Sequence, residues 1–134
     1  MTIEHDILKQ SRRVAIVGLS SKTERASNIV AQYLKEQGYG IVPVNPVEKS
    51  VLGETCYPEL NSVPGQVDTV VMFRRPEEVM PVVKQAVARG DGAIWMQEGV
   101  INEEAAKYAR EAGLQVVMDK CMRKEHMKMI CPGP

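Results

Sequence analysis

Short unbroken apolar runs alternate along the chain with longer stretches in which apolar residues return every three or four positions. The runs are Val14-Ala-Ile-Val17, Ile41-Val-Pro-Val44, Val67-Asp-Thr-Val-Val-Met-Phe73, Ala93-Ile-Trp-Met96 and Gln115-Val-Val-Met118. Continuous apolarity over so few residues marks strands covered on both faces. Between them, Ile29, Val30, Tyr33 and Leu34 fall at helical spacing in a helix from Ser27 to Gln37 that Gly38 closes. Val79, Val82, Val83, Ala86 and Val87 mark the inward face of a second helix, with Pro81 placing the start of its regular part. Asn102 is a suitable N-cap for a helix over 103–112, whose acidic start suits the helix dipole and whose end falls at Gly113. Ile3, Ile7 and Leu8 line one side of a short lead-in helix at 3–11, and Arg123–Met129 forms a last helix before Cys-Pro-Gly-Pro. Pro43 cannot donate to a ladder, which makes the second strand irregular or less central than the first. Residues 47–66, with Gly53, Pro58, Pro64 and Gly65, read as a turn-rich connection with one short helix near Pro58–Leu60.

Strands alternating with helices at this spacing predict an α/β fold: about five mainly parallel strands with helices on both faces. At 134 residues the chain is expected to be one domain, with its core over about 10–130. A net formal charge of zero gives no global field toward nucleic acid or an anionic membrane. No apolar run approaches the roughly 20 residues of a spanning helix, and the polar start Met1-Thr-Ile-Glu-His-Asp does not resemble a signal peptide. The odd, widely spaced Cys56, Cys121 and Cys131 suit reduced thiols and a cytoplasmic setting.

The segment Val14-Ala-Ile-Val-Gly-Leu-Ser-Ser-Lys-Thr-Glu-Arg-Ala-Ser-Asn28 carries the chemistry. A strand that delivers a polar loop to a helix N-terminus is an anion-binding geometry, because free N–H groups and the helix dipole both favour negative charge there. Gly18 is the only glycine in the loop, so neither the dinucleotide fingerprint nor a GxxxxGK[ST] loop is present. Ligands of open α/β sheets bind outside the carboxyl ends of the strands. The segments there hold Lys22, Arg25, Lys49, Arg74, Arg75, Lys120, Arg123 and Lys124 against Glu24, Glu48, Glu98 and Asp119, so positive charge collects at one edge of a neutral chain. After the second strand an NAD site wants an acidic residue for the ribose hydroxyls. Here Asn45-Pro46 and then Lys49 stand instead, which favours a ligand with a phosphate on its ribose, as NADP and coenzyme A both have. The missing glycines weigh against NADP.

Val17-Gly-Leu-Ser-Ser-Lys-Thr-Glu-Arg-Ala-Ser-Asn28, Gly38-Tyr-Gly-Ile-Val-Pro-Val-Asn-Pro46, Leu52-Gly-Glu-Thr-Cys-Tyr-Pro58, Val67–Pro76, Trp95-Met-Gln-Glu-Gly99 and Ala112–Cys121 together resemble the small stand-alone CoA-binding domain proteins. These are similar to the N-terminal domain of the succinyl-CoA synthetase α subunit. The resemblance covers roughly residues 10 to 130 and implies a Rossmann-like three-layer sandwich. It also implies that Gly18, Ser20, Ser21, Lys22 and Arg25 hold the CoA pyrophosphate. Asn45 and Pro46 would line the adenosine, with Lys49 near the 3′-phosphate. Phe73, Arg74 and Pro76 would form the wall over which the ligand bends, with Gln97 toward the pantetheine arm. Ala26 stands where the family pattern has proline after the arginine.

The synthetases that share this domain use a phosphorylated histidine on a further domain, and this chain has no comparable Gly-His-Ala loop. His5 and His126 stand in polar contexts and are expected at the surface. Asp119, Cys121 and His126 are the nearest thing to a nucleophile or metal set, but no CxxC pair or HExxH is present, so no metal site is expected. Cys121 follows the fifth strand and reads as a buried, inert thiol at the ligand edge. Trp95 reads as core. These features predict non-catalytic binding of coenzyme A or acyl-CoA, as carrier, sensor or partner subunit, with a protein partner or homo-oligomer left open. The alternatives are an NADP-type oxidoreductase, or an acyl-CoA synthetase-like subunit active only with a partner chain.

Overall fold

A computed structural model describes residues 2–131. In chain order the elements are α1 (Ile3–Gln10), β1 (Arg13–Val17), α2 (Ala26–Glu36), β2 (Gly40–Val44), β3 (Ser50–Val51), β4 (Glu54–Thr55), β5 (Thr69–Met72), α3 (Val79–Arg89), β6 (Ala93–Met96), α4 (Glu103–Glu111), β7 (Gln115–Val117) and α5 (Met122–Ile130). Each unbroken apolar run has become a strand of one five-stranded sheet, in the order β2-β1-β5-β6-β7, with every neighbouring pair parallel. All four residues of β5 and of β6 are buried, which a strand between two helical layers requires.

The pleat assigns the two layers. Val14, Ile16, Val71 and Trp95 turn to the face covered by α1, α2 and α5, where they meet Ile7, Leu8, Val30, Leu34 and Met122. Ala15, Val17, Val70, Met72 and Ile94 turn to the other face and meet Val79, Val83 and Ala86 of α3 and Ala105, Ala106 and Ala109 of α4. A fully buried Val, Ile or Leu contributes about 1.5–3 kcal/mol relative to exposure, so the alternation favours covering both faces of the sheet with helices. Trp95 is fully buried, and its indole N–H donates to the Lys120 carbonyl at 2.8 Å.

Pro43 lies on an edge strand, as its missing N–H predicts. The outer side of that edge is covered: Tyr57 N–H donates to the Pro43 carbonyl at 3.0 Å and Asn45 N–H to the Tyr57 carbonyl at 2.9 Å. Three expectations need correction. The connection 47–66 contains the β3–β4 hairpin, and its 3-10 turn spans Leu60–Ser62. The α3 helix begins at Val79, after a 3-10 turn at Pro76–Glu78. Pro81 falls inside its first turn, where an N–H would lack an intrahelical partner anyway. Ile3 and Ile29 are 46% and 43% exposed and do not join the buried stripes of their helices. Among the described residues no helix is long and apolar enough to cross a membrane.

Candidate functional site

The strand order reverses between β1 and β5, since the chain moves from β1 to β2 on one side and then returns to β5, β6 and β7 on the other, with all strands of this sheet parallel. A crevice opens at such a switch point, beyond the carboxyl ends of the strands. Gly18 directly follows β1 and Phe73 directly follows β5, and their backbones run against each other. Gly18 has φ +90°, and a Cβ at this position would overlap the Phe73 carbonyl oxygen. Its N–H donates to the Val44 carbonyl at 2.8 Å, while Phe73 N–H donates to the Val17 carbonyl at 2.8 Å. Only glycine fits both the dihedral and the space.

The loop beyond Gly18 is cross-tied to the helix it feeds. Ser20 N–H donates to Ser27 Oγ at 3.0 Å, Asn28 Nδ2 donates to the Ser20 carbonyl at 2.9 Å, and Lys22 N–H donates to Ser20 Oγ at 3.1 Å. Asn45 Nδ2 reaches across from the end of β2 to the Leu19 carbonyl at 2.9 Å. The first turn of α2 is left open. Arg25 occupies its N-cap without a side-chain cap bond, and the turn carries no acidic residue. Lys22 and Arg25 are exposed beside it, and among the described residues neither is in an ion pair. Free N–H groups, the positive end of the dipole and two cations therefore converge.

Two cavities meet across the Gly18–Phe73 contact. One, of about 420 Å³, is bordered by Ser20, Lys22, Arg25, Ala26 and Ser27. The other, of about 390 Å³, is bordered by Asn45, Pro46, Val47, Arg74, Arg75 and Glu78. At this same edge, Asn28 Oδ1, Arg74 Nε and Gln97 Nε2 are buried without a hydrogen-bond partner among the described residues. Gln97 follows β6 and is 3% exposed; Asn28 is 1% exposed. Buried polar atoms are normally paired, and three orphans at one edge suit a polar molecule lying along it.

Of the residues expected at the site, Gly18, Ser20, Lys22, Arg25, Asn45, Pro46, Phe73 and Arg74 border one or both cavities. Ser21, Lys49, Pro76 and Gln97 border neither cavity. The Lys49 side chain is exposed, and its carbonyl accepts from Cys56 N–H at 2.9 Å. The Pro76 carbonyl accepts from Asn102 Nδ2 at 2.8 Å. The positive edge is smaller than the sequence suggests, because Lys120 pairs at 2.8 Å with Glu4, an anion from outside those segments, while Lys124 pairs within them with Glu98 at 3.0 Å. The Glu4 bond holds the Lys120 ammonium above its usual pKa and the Glu4 carboxyl below its own. His126 is 6% exposed rather than at the surface, hydrogen bonded to the Tyr33 hydroxyl at 2.7 Å and edge-on to the Tyr33 and Tyr39 rings. Cys121 is the partly buried N-cap of α5 and borders neither cavity. Among the described residues no three His, Cys, Asp or Glu side chains gather as a metal ion needs. Ser27, Asn28, Val47 and Glu78 were not foreseen as site residues, and Arg75 was expected only as one of the cations at this edge. Ser27 carried a readable signal, being a polar residue four positions before Ala31 and seven before Leu34 on the buried stripe of α2.

Fold and crevice define a Rossmann-like domain with a cation-bordered crevice at its switch point. The profile of the CoA-binding domain family matches residues 12–127, and the chain belongs to that family. It is 36% identical over 121 residues to the uncharacterized protein YneT of Bacillus subtilis, covering 90% of each chain. A hypothetical protein from Pyrococcus horikoshii OT3, of known structure, superposes with a TM-score of 0.93 at 40% identity, covering 97% of this chain and 93% of that one. The ADP-forming acetate–CoA ligase I of Archaeoglobus fulgidus is 24% identical over 120 residues, which is 81% of this chain and 17% of the ligase.

Proposed function

We propose that the crevice binds coenzyme A or an acyl-CoA, with the pyrophosphate at the open start of α2 and the adenosine against Asn45 and Pro46. The observation that carries this reading is the pair of cavities joined at Gly18 and Phe73, one bordered by two unpaired cations and an uncapped helix. A long ligand with charge at separate points matches such a crevice better than a compact anion does. Backbone N–H groups of the first turn of α2, with Lys22 and Arg25, would hold the diphosphate. The rigid β1–α2 loop supplies these donors already oriented. The orphaned Gln97 Nε2 has a donor for an amide or carbonyl of the arm.

The domain works without catalysis, as a carrier, sensor or partner subunit. The cavity borders offer cations, hydroxyls, one amide and a carboxylate already paired to arginine, with no nucleophile set beside a base. A partner subunit role has further support in the ligase match, where the corresponding stretch is a small part of a longer chain.

Calorimetric titration with CoA and with NADP tests the reading. CoA is expected to bind and NADP to bind far more weakly; the reverse order would replace this proposal with the oxidoreductase one. Lys22→Ala and Arg25→Ala should each weaken CoA binding by about three- to tenfold, the scale of a charge-assisted contact at an exposed site. Both should leave the melting temperature unchanged, since neither side chain makes an ion pair in the fold.

A further inference from the structure

Lys49 borders neither cavity, so a group that distinguishes a ribose phosphate from a free ribose hydroxyl is sought among the residues that do. Resting on the CoA reading above, we propose that Arg74 and Arg75 form the phosphate-monoester subsite, and that Glu78 is the resident counter-ion such a phosphate displaces. Both arginines border the cavity that also holds Asn45, Pro46 and Val47. They are adjacent in sequence yet converge, because the 3-10 turn Pro76–Glu78 folds Glu78 back over them. Glu78 Oε1 lies 3.2 Å from Arg75 Nε, and Glu78 Oε2 lies 3.9 Å from Arg74 Nη1. One carboxylate therefore serves two guanidinium groups and leaves a net positive charge in the cavity. Arg74 Nε has no partner at all among the described residues.

A phosphate monoester carries close to two negative charges and three acceptor oxygens. It satisfies two planar forks better than a single carboxylate does. The Arg75 side chain is 78% exposed and that of Glu78 40%, and a pair so open to water is held weakly. Exchange of Glu78 for phosphate is thus an inexpensive step, and a ligand ending in free ribose hydroxyls gives no reason for it to occur. The ligand class follows: a nucleotide with a monoester phosphate on the ribose, in addition to its diphosphate.

The test titrates CoA and dephospho-CoA, at one ionic strength, into the wild-type protein and into Arg75→Gln, Glu78→Gln and Lys49→Gln. Wild type should prefer CoA. Arg75→Gln should lose about three- to tenfold in CoA affinity with dephospho-CoA unchanged, as expected for one charge-assisted contact. Glu78→Gln should bind CoA about threefold more tightly, again with dephospho-CoA unchanged, by removing the competing carboxylate. Lys49→Gln should keep the wild-type ratio. If the ratio collapses in Lys49→Gln and survives in Arg75→Gln, the subsite proposal fails while the CoA reading stands. A weaker CoA complex in Glu78→Gln would overturn displacement and make Glu78 a residue that positions the arginines. Failure of wild type to bind either ligand would overturn both readings.

Discussion

Helices α2 and α4 both begin at the carboxyl edge of the sheet, and their first turns are built in opposite ways. In α4, Asn102 Oδ1 accepts from Ala105 N–H at 3.0 Å, and Glu103 and Glu104 face the dipole. The same side chain donates to the Pro76 carbonyl, so the cap is also a brace between two loops. In α2 the N-cap is a cation, the first turn has no acid, and the cations at hand are unpaired. The start of α1, held at the same edge by the Glu4–Lys120 pair, is also closed on itself by Thr2 and by Glu4 and Asp6. The dipole and the orphan N–H groups are the same in each case. Of these three starts, two are satisfied by the chain and that of α2 is left open; the starts of α3 and α5 also lack a side-chain cap bond.

The largest effect should come from Gly18, which shapes the open start. Gly18→Ala forces a left-handed alanine against the Phe73 carbonyl oxygen. Overpacking and strain together predict a loss of about 2–4 kcal/mol, read by denaturant unfolding, together with loss of CoA binding. A variant as stable as wild type would show that the two loops need not touch. Asn102→Ala should cost about 1–2 kcal/mol as a lost cap and leave CoA affinity within about twofold, because that helix start is internal to the fold. A large affinity loss in Asn102→Ala would erase the distinction between the two helices.

The strands were legible because each is buried on both faces and so reads as an unbroken apolar run; Val14–Val17 and Ala93–Met96 leave little else to be. Asn102 was legible because a cap is a local event. The β3–β4 hairpin was not. Its strands are two residues each, and its turn places Leu52 and Gly53 at φ +54° and +77°, where Asn-Gly is the usual signal. In the site, the loop after β1 announced itself through its cations, while Arg75 and Glu78 join the crevice only through the 3-10 turn after Arg75. His126 read as a surface residue because its partners, Tyr33 and Tyr39, lie about ninety residues away.

That buried imidazole gives a smaller test of how separate the open start is from the rest of α2. Burial holds His126 below its ordinary pKa, so the unfolded chain takes up its proton more readily than the folded one. Its contribution to stability is therefore complete above the unfolded value of about 6.5 and is lost as the pH falls through the lower folded value. Unfolding midpoints should drop as the pH falls below about 6.5, and His126→Gln should flatten that slope. The imidazole grips the middle of α2 through Tyr33, away from the open turn. The pH profile of CoA affinity should thus be the same in His126→Gln as in wild type; a shifted profile would mean that α5 and the crevice are coupled.

The smallest stability effect is also the most direct challenge to the contrast between the two helices. Ala26→Asp gives the first turn of α2 the acid that α4 already has. A carboxylate there should meet the free N–H groups and the dipole and stabilise the ligand-free protein by about 0.3–1 kcal/mol. It would also stand where the diphosphate is proposed to lie, so CoA affinity should fall by about tenfold or more, the cost of like charges at close range. Ala26→Asn separates the causes, since it offers a similar side chain without the charge and should weaken binding far less. Both consequences of the aspartate should shrink together as salt is raised, because both are electrostatic at an exposed site. Stabilisation without loss of binding would place the ligand elsewhere; loss of binding without stabilisation would leave the cations of the loop, and not the helix start, as the anchor. The two readouts moving in opposite directions is the behaviour expected of a helix start that is unsatisfied in the fold so that a ligand can satisfy it.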